Sequence, residues 1–200
     1  MKLWGKTSLE QEYWHNIKDS QDHADYFEYL KKYGGTSQYS GLAWNSIKRL
    51  VPDRFINGVY FDNIDGTVID YSTRLQWLRF VLGQTWEQNA SYGEHHFFDF
   101  EAAAKAAKNF NRSGGYAGYS DWRLPTINEL KTLVVNKPYH CPTIDEVAFP
   151  RTPCAWHWSA SFASYVKGNG WMIDFGTGET LDLGCHKFCA VRLVRGNMLE

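Results

Sequence analysis

Near residue 55 the apolar residues of this chain change period, and that change constrains the fold more than any other feature. Ser8 precedes Glu10, Gln11, Glu12, Tyr13, Trp14 and Ile17, the pattern of an N-capped helix. Asp19-Ser20 interrupts it, after which Ala24, Phe27, Leu30 and Tyr33 recur at helical spacing until Gly34-Gly35. A third stretch carries Leu42, Ile47 and Leu50 and stops before Pro52. Helices this short are marginal alone in water, so the three are expected to pack on one another or on the next domain. From Val59 the pattern is that of short strands. Tyr60-Phe61 and Thr67-Val68-Ile69-Asp70 flank turn residues Asp62 to Gly66, and Leu75-Gln76-Trp77 supplies a third strand. Two helices are predicted later. One covers 98–111, opening near Asp99 with a small-residue face of Ala102, Ala103, Ala106 and Ala107. The other covers 126–135, where Thr126 and Glu129 have capping-box spacing. Apolar segments at 156–159, 171–175 and 190–194 close the chain, with Gly176 and Gly178 marking a tight hairpin. Two helices between early and late strands predict an α+β domain over 55–200, preceded by a helical segment over 1–54.

Composition narrows the partners. Aromatic residues make up 16% of the chain, including 9 Trp and 12 Tyr, and their apolar bodies with polar tips suit both cores and recognition surfaces. Net charge is -1 and the basic residues are scattered, the densest runs being Lys31-Lys32 and Lys48-Arg49. Without a basic stripe, nucleic acid and heparin-like glycans are poor partners. No apolar run approaches the roughly 18 residues of a membrane span, so no membrane insertion is expected. The first residues lack a signal-peptide core, which makes the cytoplasm the default compartment.

The reactive residue types do not assemble a known chemistry. Cys141, Cys154, Cys185 and Cys189 allow three disulfide pairings, and with no secretion signal free thiols are expected. Cys185-x-x-x-Cys189 is not a usual zinc knuckle. Adjacent His95-His96 and His140-Cys141 point apart on extended chain. Asp62, Asp65 and Asp70 lack a calcium loop ending in a bidentate Glu and read as turn residues. No Gly-x-Ser-x-Gly elbow, Walker loop or His-Glu-x-x-His is present. No metal, cofactor or catalytic residue is therefore expected.

Three segments carry a family resemblance. The first is Asp62-Asn63-Ile64-Asp65-Gly66-Thr67-Val68-Ile69-Asp70, with Thr73, Leu75 and Trp77 following. Here Ile64 stands where a small residue is usual and Arg74 where Gly is usual. The second is Gly118-Tyr119-Ser120-Asp121-Trp122-Arg123-Leu124-Pro125-Thr126, with Glu129-Leu130. The third is Phe149-Pro150-x-Thr152, then Trp156-x-Trp158-Ser159-x-Ser161, then Val191-Arg192-Leu193-Val194-Arg195-Gly196. Over about 55–196 the chain resembles the bacterial Lcl C-terminal domain family. The resemblance implies a C-type-lectin-like fold that presents a variable surface to a protein or glycan ligand. Members occur as adhesin tips and as targets of diversity-generating retroelements, which randomise residues near the C-terminus, and 157–189 matches that position.

The resemblance implies a framework of Trp158, Ser159, Trp171, Phe175 and Arg192. Between these lie the candidate ligand-binding residues Phe162, Ala163, Tyr165, Val166, Gly170 and Met172, followed by Thr177, Leu181, Leu183, Cys185, His186 and Phe188. Binding is expected to be calcium-independent, because the usual calcium tripeptides of sugar-binding lectins are missing. Asp121-Trp122-Arg123 is expected to be structural, an Asp–Arg network with Trp122 packed over it. Residues 8–50 resemble helical linkers downstream of bacterial caspase-like domains, which implies further N-terminal domains. The alternative reading is an oxidase of the formylglycine-generating type. These share the lectin-like fold and use a cysteine pair near the C-terminus, here Cys185 and Cys189, whose thiols would need access and a lowered pKa.

Overall fold

A computed structural model of the protein describes residues 8–135, 140–163 and 168–198. Contacts divide the chain into two units, one ending at Val59 and one running from Tyr60 to Met198. In the first, α1 (Leu9–Ile17) opens on a capping box in which the Ser8 hydroxyl accepts from Gln11 N–H and Gln11 reaches back to Ser8. Asp22 caps α2 (His23–Tyr33), and Gly34 ends it at φ 88°. The third helix, α3 (Ser40–Leu50), stops just before Pro52. The apolar stripe of α2 is not centred as its spacing suggested. Ala24 is exposed, whereas Tyr26 and Tyr29 are fully buried. Their hydroxyls find acceptors, Tyr26 on the Lys18 and Ser20 carbonyls and Tyr29 on Glu10 at 2.6 Å. A tyrosine whose tip is satisfied can go deeper than a leucine whose stripe happens to face outward.

The second unit is built on antiparallel strands. Neighbouring β2 (Tyr60–Asp62), β3 (Thr67–Asp70), β4 (Gln76–Leu78) and β10 (Val194–Arg195) lie in that order, with β1 (Phe55–Ile56) preceding them in the chain. Phe61 pairs with Ile69 and Val68 with Trp77, the expected hairpin and third strand. A further hairpin, β5 (Thr85–Glu87) and β6 (Ala90–Tyr92), turns through Gln88 and Asn89, both at positive φ. The helix α4 (Phe100–Arg112) starts where Asp99 accepts from Ala102 N–H at 2.8 Å. Thr126 and Glu129 form the expected capping box on α5 (Ile127–Lys131). That helix is shorter than its pattern predicted, because Val134 leaves it to bridge Ile144 and Val135 N–H donates to Thr143.

A second sheet holds β7 (Trp156–Phe162), β8 (Asn169–Asp174) and β9 (Thr180–Gly184) in sequence order. The extended segment 190–193 links the two sheets, since Trp158 N–H donates to Ala190 while Leu82 and Leu78 donate to Val191 and Leu193. Leu78, Trp122, Trp158, Met172, Val191 and Leu193 meet in the core with Ala103 and Ala107 of α4. Helices and antiparallel sheets segregated in this way make the unit α+β, with the N-terminal helices ahead of it.

The cysteines depart from expectation. Cys141 and Cys154 are joined in a disulfide with Cα atoms 5.9 Å apart, leaving Cys185 and Cys189 free. Spacing alone could not choose this pair, which is brought together by the return of the 142–153 excursion. No helix among the described residues is long and apolar enough to cross a membrane.

Candidate ligand-binding face

Which side chains of 157–189 can meet a ligand is decided by the register of the second sheet. Trp158 lies opposite Met172, which lies opposite Leu181; Phe162 lies opposite Gly170, which lies opposite Leu183. Directly opposed residues share a face, so these are two adjacent rows across three strands. Their inner parts are closed: Trp158 and Met172 sit in the core beneath α4. Their outer parts are open, Phe162 being 62% exposed and Leu181 43%. Phe100, the first residue of α4, packs with its ring tilted against Phe162 at 4.6 Å and edge-on to Trp158 at 5.4 Å. A Cβ at Gly170 would lie 3.0 Å from the Phe100 ring and 3.1 Å from that of Trp158. Glycine is what lets Phe100 come down on the strand.

Past β9 the chain returns alongside the start of α4. Phe100 N–H donates to the Cys185 carbonyl at 3.0 Å, and Phe98 and Cys189 exchange both backbone hydrogen bonds at 2.9 Å. The pairing sets 97–100 beside 185–189 and leaves Phe188 69% and Phe97 45% exposed. His186 is exposed, while Leu183 and Cys185 are half-buried. Phe97 and Phe100 were absent from the sequence-derived set. Their signal was the aromatic cluster Phe97-Phe98-x-Phe100 around the Asp99 cap, which reads as helix core until the 98–189 pairing is known.

Several expected contact residues are displaced. Ala163, Gly170 and Met172 are buried, and Trp171, expected to anchor the strand, is half-exposed on the opposite face. For Gly170, Trp171 and Met172 the cause is phase: side chains alternate along a strand, so reading β8 one residue out exchanges its two faces. Thr177 is exposed in the β8–β9 hairpin, with the length of β9, roughly 17 Å, between it and Cys185. Tyr165 and Val166 lie outside the described residues. Trp158, Ser159, Phe175 and Arg192 are buried as framework.

Asp121 and Arg123 do not pair. Arg195 donates to Asp121 at 2.7 Å in an exposed ion pair, and this holds the Asp121 carboxyl below its ordinary value. Arg123 instead forks onto Glu129, at 2.8 and 2.6 Å, and donates to the Gly196 carbonyl. Burial pushes the Glu129 carboxyl up, but the Arg123 fork and the Thr126 N–H outweigh it and the pKa falls. Trp122 is 1% exposed, its indole N–H on the Tyr116 carbonyl. An exposed pair such as Asp121–Arg195 contributes about 1 kcal/mol at most, not the loss of a buried partner. All three side chains of the motif are engaged within the fold, with Glu129 in the place expected of Asp121.

Other candidate groups are occupied by the fold. Asp62, Asp65 and Asp70 accept N–H groups of Ile64, Thr67 and Ser72 at 2.8, 2.9 and 2.7 Å, the geometry of turn-capping side chains. Burial raises both free thiols, Cys189 to about 12, and its sulfur lies 3.8 Å from that of Met172. Among the described residues no group of three His, Cys, Asp or Glu side chains could hold a metal ion.

The family model of the Lcl C-terminal domain matches residues 66–195, well over half of the chain. The chain belongs to the Lcl C-terminal domain family. No curated protein matches it. In this Lcl C-terminal domain the three recurrent segments are scaffold. The hairpin segment is capped by its own aspartates, and Arg123 pairs through its backbone with Val194 at 2.8 and 3.0 Å. Phe149 and Thr152 cradle Arg192, the ring 4.8 Å from its guanidinium and the hydroxyl 2.6 Å from Nη2. The open face lies outside all three segments, Phe162 following Ser161 of the last of them on β7.

Proposed function

We propose that this Lcl C-terminal domain is a non-catalytic binding module whose ligand is a protein, taken on the face formed by Phe97, Phe162, Leu181, Leu183 and Phe188. The observation that carries the reading is the exposure of Phe162 and Phe188, large apolar side chains more than half open on a rigid sheet and its return segment. Rigid aromatic area of this kind supplies binding energy at low cost in side-chain entropy. Phenylalanine and leucine lack the polar tips that would meet sugar hydroxyls, which favours protein over glycan. Burial raises both free thiols, the direction opposite to the lowered pKa that the oxidase alternative requires, and this too supports binding. Diversification by a retroelement fits the same face. Under that reading Phe162, Leu181, Leu183, Cys185, His186 and Phe188 vary, while Ala163, Gly170 and Met172 stay with the core.

The test replaces Phe162, Leu181 and Phe188 together with Ser. At positions this exposed, stability should change by about 1 kcal/mol or less, while capture of protein from a lysate weakens at least about thirtyfold. Unchanged capture, or binding that appears on a glycan array instead, would defeat the protein reading. Turnover of a cysteine-containing peptide, abolished by Cys185→Ser or Cys189→Ser, would establish the oxidase. A near-repeat of the 157–189 codons beside a reverse-transcriptase gene would test diversification separately.

A further inference from the structure

A cleft of about 480 Å³ runs along α4 in the second unit, one turn beyond Phe100. Ligand sites for small molecules span about 300–1,000 Å³ and are mostly apolar with a few placed polar groups. The floor and walls here are Ala104, Ala107, Trp122, Leu124 and Ala160. The alanine face of α4 creates the space, because larger side chains at 104 and 107 would fill it.

The polar groups around this cleft are almost all engaged. Both amide atoms of Asn111 bond the Trp122 backbone, at 2.7 and 3.0 Å. The indole N–H is on Tyr116, and Arg123 is forked onto Glu129. Thr126 Oγ1 accepts from Glu129 N–H, and its hydroxyl is engaged with the Glu129 carboxylate. Lys108 is exposed and makes no ion pair or hydrogen bond among the described residues. The uncommitted side-chain group at the rim is therefore the Lys108 ammonium, a cationic donor. An occupant needs an apolar body for the floor and an anionic acceptor at the rim.

We propose that this cleft binds a small amphipathic carboxylate, its hydrocarbon on Ala104, Ala160 and the edge of Leu124 above the buried Trp122, and its carboxylate on Lys108. A neutral or cationic ligand of the same length would leave the ammonium without its counter-charge. This cleft borders the apolar face but shares none of Phe97, Phe162, Leu181, Leu183 and Phe188 with it, and its test does not use the macromolecular ligand.

Calorimetric titration with sodium octanoate, 1-octanol and octylammonium reads the proposal. Octanoate should bind one to one, and Lys108→Glu should weaken it about tenfold or more while leaving octanol within about twofold. Ala104→Phe, which fills the cleft from α4, should abolish binding of both with the melting temperature retained. Ala160→Phe fills it from the opposite wall and serves if the first variant does not fold. The proposal is overturned if octylammonium binds as well as octanoate, if a folded cleft-filling variant still binds octanoate, or if millimolar octanoate gives no binding heat.

Discussion

At the scale of single residues, two departures from the family pattern have a visible consequence. Ile64 and Arg74 stand where small residues or glycine are usual, and both hold positive φ, 63° and 64°. Both turns thus hold a left-handed residue that is not glycine, and the side chains bear the steric cost. Ile64 is 57% exposed, so it gains little packing in return. A left-handed conformation costs an L-residue about 1–2 kcal/mol, and glycine's extra freedom in the unfolded chain offsets about 0.5–1 of that. Ile64→Gly should therefore stabilise the protein by about 0.5–1 kcal/mol, a rise of about 1–4 °C in Tm by thermal melting. A lower Tm would mean that Ile64 packs in solution in a way its exposure does not suggest. The identity of each turn residue was legible in the sequence; which of them would carry strain was not, because φ is set by the strands on either side.

At the scale of elements, the segment from Cys141 to Cys154 acts as a strap closed by its disulfide. Its Val147 and Ala148 carbonyls accept from Arg79 at 2.7 and 2.9 Å, and Phe149 and Thr152 hold Arg192. Two buried guanidiniums thus depend on a loop that has no helix or strand of its own. Closing a loop of sequence separation 13 removes unfolded-state entropy equivalent to about 3 kcal/mol. Replacing both Cys141 and Cys154 with Ser is expected to lower stability by about that amount. Denatured without reductant, the protein should show the free thiols Cys185 and Cys189 alone; reactivity at all four cysteines would remove the strap. Such bonds persist in oxidising compartments, which runs against the cytoplasmic default drawn from the N-terminal residues.

At the scale of the whole second unit, the centre carries a cation and a histidine without a carboxylate bonded to either among the described residues. Arg192 is fully buried, donating to the Leu78 carbonyl at 2.8 Å and to Thr152, and burial pushes its pKa down to about 9. His157 is equally buried, with Nδ1 2.9 Å from the Ala155 carbonyl and Phe175 edge-on at 4.8 Å. Burial first, and the Arg192 charge second, push its pKa down to about 3 from 6.5. The unfolded chain therefore binds a proton between about pH 6.5 and 3 that the native state refuses. Stability attributable to His157 is complete above pH 6.5 and is lost as pH falls through that window, by at most about 1.4 kcal/mol per pH unit. His157→Asn, which keeps a donor for Ala155, should flatten the dependence of ΔG on pH between 6 and 4 in denaturant titrations. An unchanged slope would place the acid sensitivity elsewhere.

The sequence by itself determined the local order of this protein. Caps at Ser8, Asp99 and Thr126, breaks at Gly34 and Pro52, and turn aspartates at 62, 65 and 70 all act within a few residues, and all are in place. The recurrent segments also identified the family, because they are the scaffold and their chemistry is local or charge-assisted. What only tertiary structure decided is every question of partner and phase. Glu129 rather than Asp121 for Arg123, Cys154 for Cys141, and Met172 rather than Trp171 facing the core each depend on a distant strand or loop. A strand has two faces of nearly equal pattern when both carry aromatic and apolar residues, as β8 does with Trp171, Met172 and Ile173. Ile173, on the Trp171 side, is fully buried as well, so both faces are covered in part; it is α4 and Phe100 arriving over Gly170, far away in the chain, that put Met172 in the core.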